Sequence, residues 1–175
     1  MKRISVILLA LLLSACSTTA DNRMQIASQH SKILGDIEQV SPGTLHEIND
    51  APGFAIFSAA EVNLGLISTG NGHGAVYNNL TSEKTYMEVI GGGIGLGVGG
   101  RDFRIVFVFK TEEKMQSFIN EGWSFDERVE ATAMNSMIDG LVIGDITVYQ
   151  FNKTGLSMQA MLKGMKFSMN EELNQ

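Results

Sequence analysis

The chain holds 175 residues, enough for one domain with a proper core and too few for two comfortable ones. Its 13 basic residues against 19 acidic ones give a net charge of -6, which excludes nucleic-acid wrapping by bulk charge. A single cysteine leaves no disulfide framework and no cysteine-built zinc site.

That cysteine, Cys16, closes the run Leu13-Ser14-Ala15-Cys16 after a short apolar segment, residues 4–13, itself preceded by Lys2 and Arg3. A positive start, a hydrophobic stretch too short to cross a bilayer and small residues before a cut are the parts of a secretory signal. A cysteine at the cut matches the bacterial lipoprotein signal. The expectation is removal of residues 1–15 and a diacylglyceryl thioether on Cys16, with two or more acyl chains as the anchor. The non-acidic Ser17 points to the periplasmic face of the outer membrane. Loss of Lys2 and Arg3 leaves 11 basic residues against 19 acidic, a net -8, and acylation removes the last thiol from catalytic use. Beyond the signal, no apolar segment is long enough and poor enough in glycine to span a membrane.

Residues 16–22 read as a mobile polar tether and residues 23–175 as one domain. Over residues 23–40, Ile26, Ile33, Ile37 and Val40 recur at helical spacing beside Leu34, with Lys32, Asp36 and Glu38 as polar neighbours. Ser41-Pro42 predicts an N-cap and first-turn proline of a short helix ending at Ile48. Residues 54–58 form a compact apolar strand. Asn71-Gly72 and Asn78-Asn79 are turn dipeptides, and His73 falls in the first of these turns. Residues 85–90 and 104–109, rich in β-branched and aromatic side chains, predict strands.

Thr111 with Glu112 and Glu113 opens a helix whose inner face is Met115, Phe118 and Ile119 and whose stop is Gly122. Trp123 reads as a core plug, with an interfacial anchor as the alternative. Asp126 opens another helix carrying Val129, Ala133 and Met137, closed by Asp139-Gly140. Residues 146–151 and 156–162 flank Lys153-Thr154-Gly155 as a final hairpin. The series Met158, Met161, Met165 and Met169 also suits a helix, but Gly155 and Gly164 bracket it and favour a strand. Together these elements predict a single α+β domain: a mostly antiparallel, curved sheet packed with a few helices around a Gly-rich central strand.

That central segment, residues 91–100, holds seven glycines in ten positions. Gly91, Gly93, Gly95, Gly97 and Gly99 alternate with Ile94, Leu96 and Val98, so a strand here has one face of bare backbone and one aliphatic face. A helix would lose on the order of 1 kcal/mol per glycine, which rules it out. A phosphate loop needs a following helix and a Lys with Ser or Thr, whereas Arg101-Asp102-Phe103 leads into another strand. Two readings remain: the glycine face admits a closely packed neighbour, or it lines a lipid-accommodating surface. Catalytic and metal signatures are missing from the sequence. His30, His46 and His73 are scattered without metal-ligand spacing, and no serine stands in a nucleophile elbow. No catalytic residue, metal or cofactor is therefore assigned.

From Ala51 onward the segment order resembles the SYLF domain family, its bacterial lipoprotein branch above all. The matching residues are Gly53-Phe54-Ala55-Ile56-Phe57, the 91–100 glycine run, Phe103-Arg104-Ile105-Val106-Phe107-Val108-Phe109, and Phe118 through Gly122-Trp123. Val148-Tyr149-Gln150, Gly155-Leu156, Gly164-Met165-Lys166-Phe167 and Leu173-Asn174 follow in order. The resemblance implies non-catalytic binding of membrane phospholipid. In that reading Gly93, Gly95 and Gly97 let acyl chains or a neighbouring element approach, while Arg101, Arg104, Lys163 and Lys166 meet lipid phosphates. The helix at residues 23–40 resembles the family's membrane helix in position but carries only Arg23 and Lys32 as cations, few for phosphoinositide recognition. The alternative is a structural lipoprotein that presents a surface to an envelope protein partner.

Overall fold

The computed structural model describes residues 18–124, 140–152, 155–156 and 164–175, with backbone alone at 93–97 and 155–156. Two helices come first: α1, Thr19–Val40, and α2, Thr44–Asp50. Helix α1 starts ahead of the expected Arg23, so Thr19 to Asn22 form its first turn instead of a mobile tether. A capping box explains this. The Thr18 hydroxyl accepts from the Asp21 amide at 3.2 Å, and the Asp21 carboxylate accepts from the Thr18 amide at 3.2 Å. Donation from the Thr18 hydroxyl at 2.7 Å, and then from the Thr18 amide, holds the Asp21 carboxyl below its ordinary pKa.

The second helix also departs from expectation. Ser41 terminates α1, its amide donating to the Ile37 carbonyl, and Gly43 occupies the N-cap of α2 at φ 94°. The cap acceptor comes from the preceding helix: the Glu38 carboxylate takes hydrogen bonds from the amides of Gly43 and Leu45, both at 3.0 Å. Donation from these two amides lowers the Glu38 pKa.

Two very long strands follow, β1 at Gly53–Asn78 and β2 at Lys84–Phe109, antiparallel along their whole length. They absorb the separate strands expected at 54–58, 85–90 and 104–109, together with the glycine run. The Asn78-Asn79 turn is present, with Asn78 Oδ1 accepting from the amides of Leu80 and Thr81. The Asn71-Gly72 turn is not. Asn71 pairs with Ile90, Gly72 with Val89 and His73 with Glu88.

Glycine serves close approach here instead. A Cβ on Gly72 would lie 2.7 Å from the Ala59 Cα, and one on Gly74 would lie 2.7 Å from Phe57 Cγ. Strand β1 therefore bends back on itself, residues 70–74 against 56–61. The Ser68 hydroxyl donates to the Glu61 carboxylate across the bend. Gly65, at φ 83°, and a register shift between Gly65 and Ile67 mark its apex.

Helix α3, Glu112–Glu121, has its Thr111 cap, acidic first turn and Gly122 stop where the sequence places them. The short strands are β3, Trp123–Ser124, β4, Leu141–Ile143, β5, Ile146–Asn152, β6, Gly155–Leu156, and β7, Met165–Met169. A 3-10 turn at Glu172–Asn174 ends the fold. Against β2, on the edge away from β1, β7 pairs with Met87–Gly91 and β5 with Arg104–Phe109, all antiparallel. The result is a curled seven-stranded sheet with helices, an α+β domain. Pairing of Asn152 with Gly155 supplies the start of the last hairpin. Met165 and Met169 are in a strand, while Met158, Met161, most of residues 156–162 and the helix expected from Asp126 lie outside the described residues.

Two cores sandwich the sheet. On one side Phe57, Phe103, Ile105, Phe107, Phe167 and α3's Phe118 cluster, with Trp123 against Phe107 at 5.3 Å as a plug at the margin. On the other side Ile56, Val106, Val108 and Phe151 meet Ile33, Ile37 and Ile48 of α1 and α2. Alternation along β2 thus buries both phases where helices cover it.

Candidate functional site

Followed outward along the helix-covered face, the ribbon of β1 and β2 changes character in register. Ile56 and Val106 are buried, Ser58 and Arg104 form the next pair, then Ala60 with Asp102, Val62 with Gly100, and Leu64 with Val98. Beyond the shelter of α1 and α2 the ribbon passes a polar collar and ends in an aliphatic tip. Val98 is 88% exposed and Leu64, Leu66 and Ile67 about two-thirds exposed, with Val62 beside them. Soluble surfaces scatter such side chains singly; five together on one bend form an apolar patch of the kind that marks an interaction site.

The exposed phase at this tip is the aliphatic one. Gly91 is the position where the first glycine reading applies, because a Cβ there would meet Met165 Cγ at 2.9 Å. Gly93 pairs with Ser68 and Gly97 with Gly65, while Gly95 lies opposite the register shift at the apex. The sequence pattern found the alternation but not which face opens to solvent, since that depends on where the helices stop covering the sheet.

The cations are placed unequally. Arg101 and Arg104 fall on opposite faces of β2, three residues apart, and both lie just behind the tip. Arg101 reaches Glu61 at 3.9 Å and remains 56% exposed, a weak surface pair. Lys166 pairs with Ile90 toward the other end of β2 and is exposed. Lys163 and Cys16 lie outside the described residues.

A second constellation was missed in the sequence. His30 is buried in α1 with Nδ1 2.5 Å from the Tyr77 hydroxyl, and its Nε2 has no partner among the described residues. Tyr77 stacks on Phe54 at 4.8 Å, and Lys84 Nζ lies 5.0 Å from the Tyr77 ring centroid. Burial, then the Lys84 charge, lowers the His30 pKa to about 4. Burial, then Tyr86, raises that of Tyr77. The signal was available: position 30 completes the 26, 33, 37 stripe at helical spacing. The pair fastens α1 to β1.

Among the described residues no three His, Cys, Asp or Glu side chains group as metal ligands, and no helix is long and apolar enough to cross a membrane. Fold and site together define an α+β domain with a curled antiparallel sheet and an apolar ribbon tip. No protein-family model matches the chain. It is similar to Beta cell expansion factor A of Aeromonas veronii, at 24% identity over 160 residues. The match covers 90% of this chain and 61% of that protein, so the chain spans under two-thirds of its relative's length.

Proposed function

We propose that this chain is an envelope lipoprotein, acylated at Cys16, whose SYLF-like domain binds membrane phospholipid without catalysis. The observation that carries the reading is the aliphatic tip of Val62, Leu64, Leu66, Ile67 and Val98 on a two-stranded ribbon. Its burial in hydrocarbon removes apolar surface from water, worth about 1.5–3 kcal/mol for each fully buried side chain. Arg101 and Arg104, one on each face behind the tip, would donate to phosphate oxygens as the tip enters. Acyl chains on Cys16 would keep that tip at the bilayer, turning a weak contact into a persistent one.

Liposome co-sedimentation of the chain from Ser17 onward, which carries neither the apolar signal segment nor acyl chains, isolates the domain's own affinity. Leu64→Ser with Leu66→Ser should weaken binding by about 100-fold, from about 3 kcal/mol of lost transfer energy. Absence of binding to any lipid mixture would remove the proposal, as would full binding by the double variant. Labelling with radioactive palmitate tests the anchor separately: the product should carry label that Cys16→Ser abolishes.

A further inference from the structure

Away from the ribbon tip, a cleft opens between the first half of α1, His73 on β1 and the 3-10 turn. Its volume is about 150 Å³. A void of that size accepts one six-membered ring. Its floor is apolar, made by the buried Ile26 and Leu173. Its rim carries Gln25, Gln29, His73 and Glu172, whose side-chain polar atoms make no hydrogen bond or ion pair with other described residues.

The walls are fixed. Arg23 Nε donates to the Leu173 carbonyl at 2.9 Å, and its Nη2 donates to that of Gln175 at 2.7 Å. Asn174 accepts from the Tyr86 amide at 2.8 Å and donates to the Tyr86 carbonyl at 2.7 Å. A cleft held this way loses little freedom on binding.

We propose that this cleft binds one neutral pyranose ring of a saccharide. Carboxamides set a donor and an acceptor side by side, which suits vicinal hydroxyls that both donate and accept. Glu172 adds a carboxylate that accepts from two hydroxyls, and the C–H face of the ring lies on Ile26 and Leu173. An anion is disfavoured, because Glu172 stands on the rim and Glu88 lies behind Asn170, whose Nδ2 donates to Glu88 Oε2 at 3.3 Å. Arg23, the neighbouring cation, has its guanidinium committed to the two carbonyls.

The test is an amide-resonance titration of the full chain carrying Cys16→Ser with methyl β-D-glucopyranoside, methyl β-D-galactopyranoside and N-acetyl-D-glucosamine. At least one should produce saturable shifts confined to residues 22–29, 72–74 and 170–173, with a Kd of about 1 mM. Gln29→Ala and Glu172→Gln should each weaken it by about tenfold, the worth of one hydrogen bond. Gln25→Ala, on an exposed position, gives the same reading without touching the packing of α1. No saturable shift with any of the three sugars overturns the proposal. So do shifts centred elsewhere, or variants that keep full affinity. Co-sedimentation with liposomes, compared between this chain and one also carrying Leu64→Ser and Leu66→Ser, reads the ribbon tip, so either proposal can fail without the other.

Discussion

Acidification should loosen the docking of α1 through one buried side chain. His30 is 2% exposed, bonded to the Tyr77 hydroxyl and faced by the Lys84 charge across the Tyr77 ring. Its pKa falls from an ordinary 6.5 to about 4 on folding. Above pH 6.5 the ring is neutral in both folded and unfolded chains, and no pH dependence arises from it. Between 6.5 and about 4 the unfolded chain takes up a proton that the folded chain refuses, so stability falls with pH. At about 1.4 kcal/mol per pH unit, that interval amounts to about 3 kcal/mol. Urea unfolding followed by circular dichroism through the same window should show this loss. His30→Leu removes the slope, although it leaves the Tyr77 hydroxyl short of a partner and costs about 1–3 kcal/mol at neutral pH. Parallel stability profiles for the two proteins through that window would refute the reasoning.

Two glycine substitutions should act in opposite directions. Gly35, exposed within α1, has nothing within 4 Å of a Cβ, so Gly35→Ala should raise stability by about 0.5–1 kcal/mol in urea melts. Gly72→Ala places a methyl 2.7 Å from the Ala59 Cα and should cost about 1–3 kcal/mol or more, read as a lower Tm. Thr18→Ala breaks the capping box and should cost about 1 kcal/mol, with fraying of residues 19–22 visible as faster amide exchange.

Legibility in the sequence followed the range of each interaction. Helix α3 was readable throughout, because Thr111, Glu112, Glu113 and Gly122 decide its ends within the segment itself. The start of α2 was not, because its cap acceptor is Glu38 of the preceding helix rather than the local Ser41. Asn71-Gly72 carries the chemistry of a turn, and local preference alone would make one. Contact with residues 58 and 59, far off in sequence, makes it the inside of a bent strand. His30 was passed over because a histidine on a helix stripe declares itself only once Tyr77 is known to face it.

The ribbon tip is where local and tertiary logic part most clearly. Over most of the described sheet, aliphatic alternation ends under a helix or inside the aromatic core, with single exposures such as Ile90 and Val142, and burial offsets the entropy of ordering it. From Val62 to Ile67 the chain keeps an aliphatic pattern with nothing described above it, next to a glycine-rich partner strand that contributes few side chains to packing. A domain selected for stability alone would carry polar residues there, since the exposed positions make no use of hydrophobicity in the isolated chain. Disagreement between pattern and environment is expected where a surface is kept for something outside the molecule. That argument gives the Leu64→Ser and Leu66→Ser pair a second expected outcome. Because both side chains are largely exposed in the folded chain, the double variant should unfold within about 0.5 kcal/mol of the parent. Lost liposome binding with unchanged urea midpoints would assign the tip to an external apolar phase. A large loss of stability would show instead that these side chains belong to the core.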